Sequence, residues 1–141
     1  MIVTRRYCLF RCGASAVEFA VVAPLFFIIV LGLIEIGRVC MATELLTEAA
    51  RRACRKGIIE GTSSSTIQST AINYLTSVGI SGESANVFVN DAPAGSTNVS
   101  AMPAYTEITV VVTVPVAAVT WTPTWWFTSG TLSGQYTMRR E

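Results

Sequence analysis

The apolar positions of this chain follow three different patterns. From Phe19 to Ile34, "FAVVAPLFFIIVLGLI" is an uninterrupted apolar run of about 16 residues. A helix needs roughly 20 such residues to cross a bilayer. Extending the run back through "ASAV" and forward to Ile36 reaches spanning length, with Glu18 and Glu35 near its two ends. The next stretch, "GRVCMATELLTEAARRACRKG", has no proline, is rich in good helix formers, and sets Ala42, Leu45, Leu46, Ala49 and Ala53 at helical spacing. Glu48 lies three and four residues before Arg51 and Arg52, where side chains on a helix meet. Arg51, Arg52, Arg55 and Lys56 crowd the last turn, where the helix dipole favours cations, and Gly57 is placed to cap it. The same basic cluster also suits an acidic lipid or partner. One helix over residues 14–56 would be about 65 Å long.

A break at "GTSSS" follows. Ser65 and Gln68 have capping-box spacing, and Ile67, Ala71, Tyr74, Leu75 and Val78 predict a second short helix ending at Gly79. After that the period drops to two. In "EITVVVTVPV", Ile108, Val110, Val112, Val114 and Val116 share one face, with Glu107, Thr109 and Thr113 on the other. "TLSGQYTMR" alternates through Leu132, Tyr136 and Met138, and "NVFVN" around Val87 is a shorter strand. The expected fold is α+β: a long N-terminal transmembrane helix continuing into a small outer domain, which holds a short helix and an antiparallel sheet of about three strands. The expected divisions are a basic leader over 1–13, the long helix over 14–57 with its membrane part at about 16–36, and the outer domain over 58–141.

Composition narrows the chemistry. The 141 residues are 51% hydrophobic and 13% charged, and the net charge of +1 gives no global field for nucleic acid or an acidic substrate. There is no histidine, which removes the commonest general base and metal ligand. Glu83, Asp91 and Glu107 are scattered, and no glycine-rich phosphate loop is present. No cofactor, metal or small-molecule substrate is therefore expected, and no catalytic residue is assigned. Cys8 and Cys12 precede the apolar run, and Cys40 and Cys54 follow it. The latter two would lie about 20 Å apart on one helix, too far to bridge within it. Trp121, Trp125, Trp126 and Phe127 crowd the connection between the last two strands, either capping a small core or forming a partner-binding patch. Asn98-Val99-Ser100 matches a glycosylation sequon.

Glu18 poses the sharpest question. A carboxylate at the edge of hydrocarbon either snorkels to the headgroups or has a partner. Its setting is specific: Arg5, Arg6 and Arg11 without an acid, then Gly13, four residues, Glu18, and the apolar helix. This arrangement resembles the type IV pilin-like proteins. The closer resemblance is to TadE-like proteins, minor pseudopilins of tight-adherence (Flp-type) pili, through Gly13, Glu18, Phe19, Pro24, Glu35, Gly37 and Arg38. It is specific over about residues 13–57 and loose beyond, where "YTMRRE" is similar to the family's C-terminal strand.

The resemblance implies a cut between Gly13 and Ala14 by a prepilin peptidase. Glu18 then becomes the fifth mature residue, placed to meet the N-terminal amine of a neighbouring subunit. It implies a minor pilin that supports pilus biogenesis, adhesion and biofilm formation. The implied partners are the peptidase, the major Flp-type pilin, other minor pilins, the inner-membrane pilus platform and the lipid bilayer. The charges flanking the run do not settle topology alone. The resemblance places the N-terminus in the cytoplasm and the C-terminal domain outside the inner membrane. The rival reading is an uncleaved single-pass protein with an external binding domain.

Overall fold

The computed structural model describes residues 8–59, 61–90, 92–94, 99, 102–103, 105–120 and 130–140, with side chains from residue 13 onward. The aromatic stretch Trp121–Phe127, the sequon residues Asn98 and Ser100, Asp91 and the side chains of Cys8 and Cys12 lie outside the described residues. The chain forms two units, Met1–Ile36 and Gly37–Glu141. One helix, α1 (Cys8–Gly57), contributes to both.

The first unit is helical from Cys8 and includes Pro24 without a break. Its large apolar side chains are exposed, Phe19 to 72% for example. The helix is long and apolar enough to cross a membrane, with a mean hydropathy of 2.7 over its most apolar window. Side chains of this kind need an apolar surrounding, and hydrocarbon supplies one.

The second unit is α+β. After α1 come α2 (Ser64–Ser77) and four strands: β1 (Ser84–Val89), β2 (Ala92–Pro93), β3 (Glu107–Pro115) and β4 (Thr131–Arg139). The sheet order is β2-β1-β3-β4, and every pairing is antiparallel. The predicted three strands are β1, β3 and β4. The fourth, β2, has two residues, too few to show a period.

Alternation decides which face is covered. Ile108, Val110, Val112 and Val114 of β3 are buried, opposite Met138, Tyr136, Gly134 and Leu132 of β4. On the far side of β3, Val89, Val87 and Ala85 of β1 continue the same rows. The other face is polar and laced by hydroxyl pairs, Thr109 with Thr137 at 2.9 Å and Ser84 with Thr113 at 2.7 Å. Val116 does not extend the apolar face, because β3 ends at Pro115 and Val116–Ala118 form a 3₁₀ turn.

Both helices cover the apolar face. α1 buries Ala42, Leu46, Ala49, Ala50, Ala53 and Cys54, the predicted stripe widened by Ala50 and Cys54, with Leu45 at its edge. α2 buries Ile67, Ala71 and Leu75 and packs on β1. Its N-cap is Ser63, whose hydroxyl accepts from Thr66 N, and not Ser65. Three consecutive serines are equivalent as caps, and helical phase chose the one that buries Ile67. Val78 follows the helix as its C-cap and is exposed. Gly57 is not a left-handed cap either. It is the last buried residue of α1, where an added Cβ would lie 2.9 Å from Ile67 Cδ1. The α1 terminus is closed by the Thr62 hydroxyl, 3.1 Å from Lys56 O.

α1 and β4 approach each other closely. A Cβ built on Gly134 would lie 2.5 Å from both Leu46 C and Thr47 N. Backbone meets backbone there, so no rotamer relieves the clash. Two residues on, the Cys54 thiol donates to Tyr136 O at 3.1 Å. Burial pushes this thiol up to about 11.

Two expectations follow. Gly134→Ala should force α1 off the sheet and cost at least the 1–3 kcal/mol typical of overpacking. Thermal unfolding of the second unit, followed by protease resistance in detergent, should move to lower temperature; an unchanged midpoint would show that β4 yields freely. For Cys54 the folded state holds the proton more tightly than the unfolded one, whose ordinary value is 9.0. Stability should therefore fall as pH rises from about 9 to about 11, and Cys54→Ala should remove that slope. Urea titrations across this range measure it.

Candidate functional site

Gly13, Ala14, Glu18, Phe19 and Pro24 are all exposed on the first unit's helix. An added Cβ at Gly13 would meet nothing within 4 Å, so the fold itself does not require glycine there. Ala14 and Glu18 are four residues apart on one helix, and so lie on the same face one turn apart. Glu18 and Glu35 are about 25 Å apart along the axis and form no common site. Glu35 is buried, and Gly37 is exposed with open space around it. The charges at the two ends of the apolar run thus have different surroundings: one faces outward and the other is covered.

Arg38 has a defined task inside the second unit. Its Nε and Nη2 donate to Val119 O at 3.2 and 2.7 Å. Val119 closes the 3₁₀ turn after β3, and its own N–H donates to Val116 O. The guanidinium therefore ties the first turn of this unit's helix to the end of the β3 connection. The fork of N–H groups suits a single carbonyl in this way, and an ammonium would supply only one such bond.

Farther along α1 the basic cluster divides. Arg52 pairs with Glu48 at 3.0 Å and lies 4.1 Å from the centre of the Tyr74 ring. That pair holds the Glu48 carboxyl below its ordinary value. Arg51 instead lies over Tyr136 at 5.9 Å, so the i+4 partner takes the carboxylate and the i+3 residue does not. Arg55 and Lys56 stay exposed in the last turn.

Two residues that the sequence pattern did not single out carry the sheet's end. Arg140 is buried, and its Nη1 donates to Val99 O at 3.1 Å and to Met102 O at 3.3 Å. Arg139 donates from Nε to Tyr105 O at 3.1 Å. A pair of arginines after an alternating strand reads as a strand end, and nothing in the spacing distinguishes a buried clamp from a solvated tail. Among the described residues no cluster of three metal-ligating side chains occurs, and Cys40 and Cys54 are free thiols, the first exposed and the second buried.

Arg38→Ala should cost about 1.5–3 kcal/mol, the usual worth of hydrogen bonds to a charged group. Arg38→Lys should recover part of it. Limited proteolysis near Val119 in detergent-solubilised protein is the measurement. Equal digestion of all three proteins would remove Arg38 from the fold.

Residues 13–55 match the family model described as TadE-like protein. No curated protein and no solved structure matches the chain. The match covers the apolar helix and the first four turns or so that pack on the sheet, and it holds every candidate residue from Gly13 to Arg38. Over residues 13–55 the chain is TadE-like, which supports a pilin-related, structural role in association with the machinery of a tight-adherence (Tad) pilus.

Proposed function

We propose that this protein is a minor pilin of a Flp-type tight-adherence pilus, cut by a prepilin peptidase between Gly13 and Ala14. The observation that carries the reading is the TadE-like match, which begins at Gly13 on a helix apolar enough to span a membrane. In this reading residues 1–13 are a leader, 14–57 the assembly helix and 58–141 the outer domain. The N-terminus lies in the cytoplasm and the outer domain beyond the inner membrane. Open space around Gly13 supports the cut, since a glycine the fold does not need is explained by a protease that must approach the backbone.

Glu18 is the assembly residue. After the cut, Ala14 carries an ammonium at the edge of the bilayer. A lone charge there is costly, and an opposite charge from a neighbouring subunit offsets the cost. Pairing Glu18 of one copy with the Ala14 amine of the next pilin fixes their axial register. Phe19, Pro24, Glu35 and Gly37 are the further positions of the family motif in or near the membrane helix. The partners are the peptidase, the major Flp-type pilin, other minor pilins and the inner-membrane platform, and the outcome is pilus biogenesis, adhesion and biofilm formation. The protein has no catalytic role of its own.

Glu18→Gln tests this in cells that carry the pilus system, with Gly13→Val as the uncut control. The glutamine variant should mature normally, by immunoblot and intact mass, yet lose most surface pili and most recovery of partner pilins. The valine variant should remain at full length, because a β-branched side chain crowds the scissile bond. Full piliation by mature Glu18→Gln protein would sink the pairing. Maturation of Gly13→Val, or a wild-type mass that still includes Met1–Gly13, would favour an uncleaved single-pass protein.

A further inference from the structure

The geometry points to the outer edge of β4 as a docking strip for an extended segment of a second protein, added to the sheet as a fifth strand. β4 is the terminal strand in the order β2-β1-β3-β4 and is nine residues long, whereas the opposite edge ends in two-residue β2. The phase of the ladder is set at its two ends. Val116 N donates to Gly130 O at 2.9 Å, and Arg140 N donates to Thr106 O at 3.0 Å. In an antiparallel pair the inward-bonding residues alternate. Even-numbered residues of β4 therefore bond to β3, and Thr131, Ser133, Gln135, Thr137 and Arg139 turn their N–H and C=O groups outward. All five are exposed, and no strand among the described residues pairs with them.

Sheet edges in stable proteins are commonly blunted by proline, a bulge or an inward-pointing charge. β4 has no proline and one charge, Arg139 at its very end. Beside it the second unit also supplies a groove. α2 packs over β1, while α1 lies against β4 at Gly134, so the flank of α1 turned away from α2 borders the open edge. A groove of about 350 Å³ runs there, lined by Thr43, Glu44, Thr47, Glu48, Arg51 and Tyr136. An edge with outward donors and acceptors, next to a helix flank that receives alternate side chains, is the geometry that proteins use to bind extended peptides.

The same packing restricts the occupant. Strands pair at about 4.8 Å, whereas helices pack no closer than about 8 Å. Two copies joined antiparallel, edge to edge through β4, would each bring α1 to the same face of the junction, and the helices would collide. The guest is therefore an extended segment with no helix of its own over that face. Charge sets its polarity. Glu48 is engaged by Arg52, whereas Glu44 makes no ion pair among the described residues. β4 runs in the same sense as α1, with Gly134 beside Leu46 and Tyr136 beside Arg51. The guest carries a lysine or arginine on its helix-facing side near Gly134, where Glu44 lines the groove, and no cation near Tyr136, where Arg51 lies.

Photo-crosslinking of the full chain in its own cells tests this, with benzoylphenylalanine at Ser133, Gln135 or Thr137 and at Asn86 as a control. The three edge positions should capture one polypeptide, and the sites of attachment should step along a single segment at alternate residues. Asn86 should capture it at less than a tenth of that yield. Gln135→Pro removes an outward N–H without breaking the β3 ladder. It should lower capture at Ser133 and Thr137 at least tenfold while protease resistance of the domain stays intact. If that variant does not fold, the register of attachment alone decides. Attachment to a second copy of this chain, attachment at scattered sites or at helical spacing, capture unchanged by a folded Gln135→Pro, or no adduct at the three positions would each overturn the proposal.

Discussion

The second unit depends on how closely a helix can lie on a sheet. At Gly134 the α1 backbone at Leu46 and Thr47 sits where a side chain would otherwise be. That approach requires small residues on both partners. α1 provides Ala42, Ala49, Ala50 and Ala53, and β4 provides the glycine. With the gap closed, short side chains reach across it: Cys54, a small residue, finds Tyr136 O at 3.1 Å. The apolar rows of β3 are then sealed from the helix side by Leu46, Ile67 and Leu75, which with Ile108 of β3 itself are the bulkiest fully buried side chains among the described residues. A contact this close depends on fit, so one added methyl group at Gly134 matters more than it would at a looser contact.

The seat is held at its ends by arginines. Arg38 fixes the start of this stretch of α1 to Val119, and Arg140, the residue after β4, fixes that end of the sheet to Val99 and Met102. Each guanidinium satisfies carbonyls that no ladder reaches. Buried or half-buried carbonyls without donors are costly, and a long planar donor can reach them from an element whose own backbone is already engaged. Glu48, Arg52 and Tyr74 link α1 to α2 in the same economical way, at the surface.

The elements legible in the sequence were those with many repeats of one period. Ile108 to Val114 shows strict alternation, and the helical stripe of α1 persists over several turns, so both were found with most of their buried residues; Val116 falls beyond the strand, Leu45 lies at the edge of the stripe, and Ala50 and Cys54 were not picked out. What failed to show was local and degenerate. Any of three serines satisfies the cap rule, and two-residue β2 has no period. Gly134 looks like a gap in an alternating strand and gives no sign that a helix backbone occupies the space. Arg140 has the same sequence appearance as a solvated arginine. The candidate residues Gly13 and Glu18 were legible for a different reason. They are anomalies against an apolar background, and such a background makes a single polar or small residue conspicuous. The fold gives them no packing role, so the pattern around them, and not tertiary structure, is what singles them out as candidates.

One helix, α1, is written in two vocabularies. Before Ile36 its apolar side chains are mostly large, and the large ones are mostly exposed. After Gly37 the buried positions are mostly alanine, confined to one stripe, with Thr43, Thr47, Glu48 and Arg51 on other faces. Large residues gain most from transfer into a fluid apolar solvent, which shapes itself around them. Small residues gain from a rigid partner surface that comes close enough to fill the space they leave. The change of residue size is therefore a change of solvent, from one that adapts to the helix to one that the helix must fit. Arg38 stands where the vocabulary changes, and its fork to Val119 lets the fitted stretch begin at a defined residue.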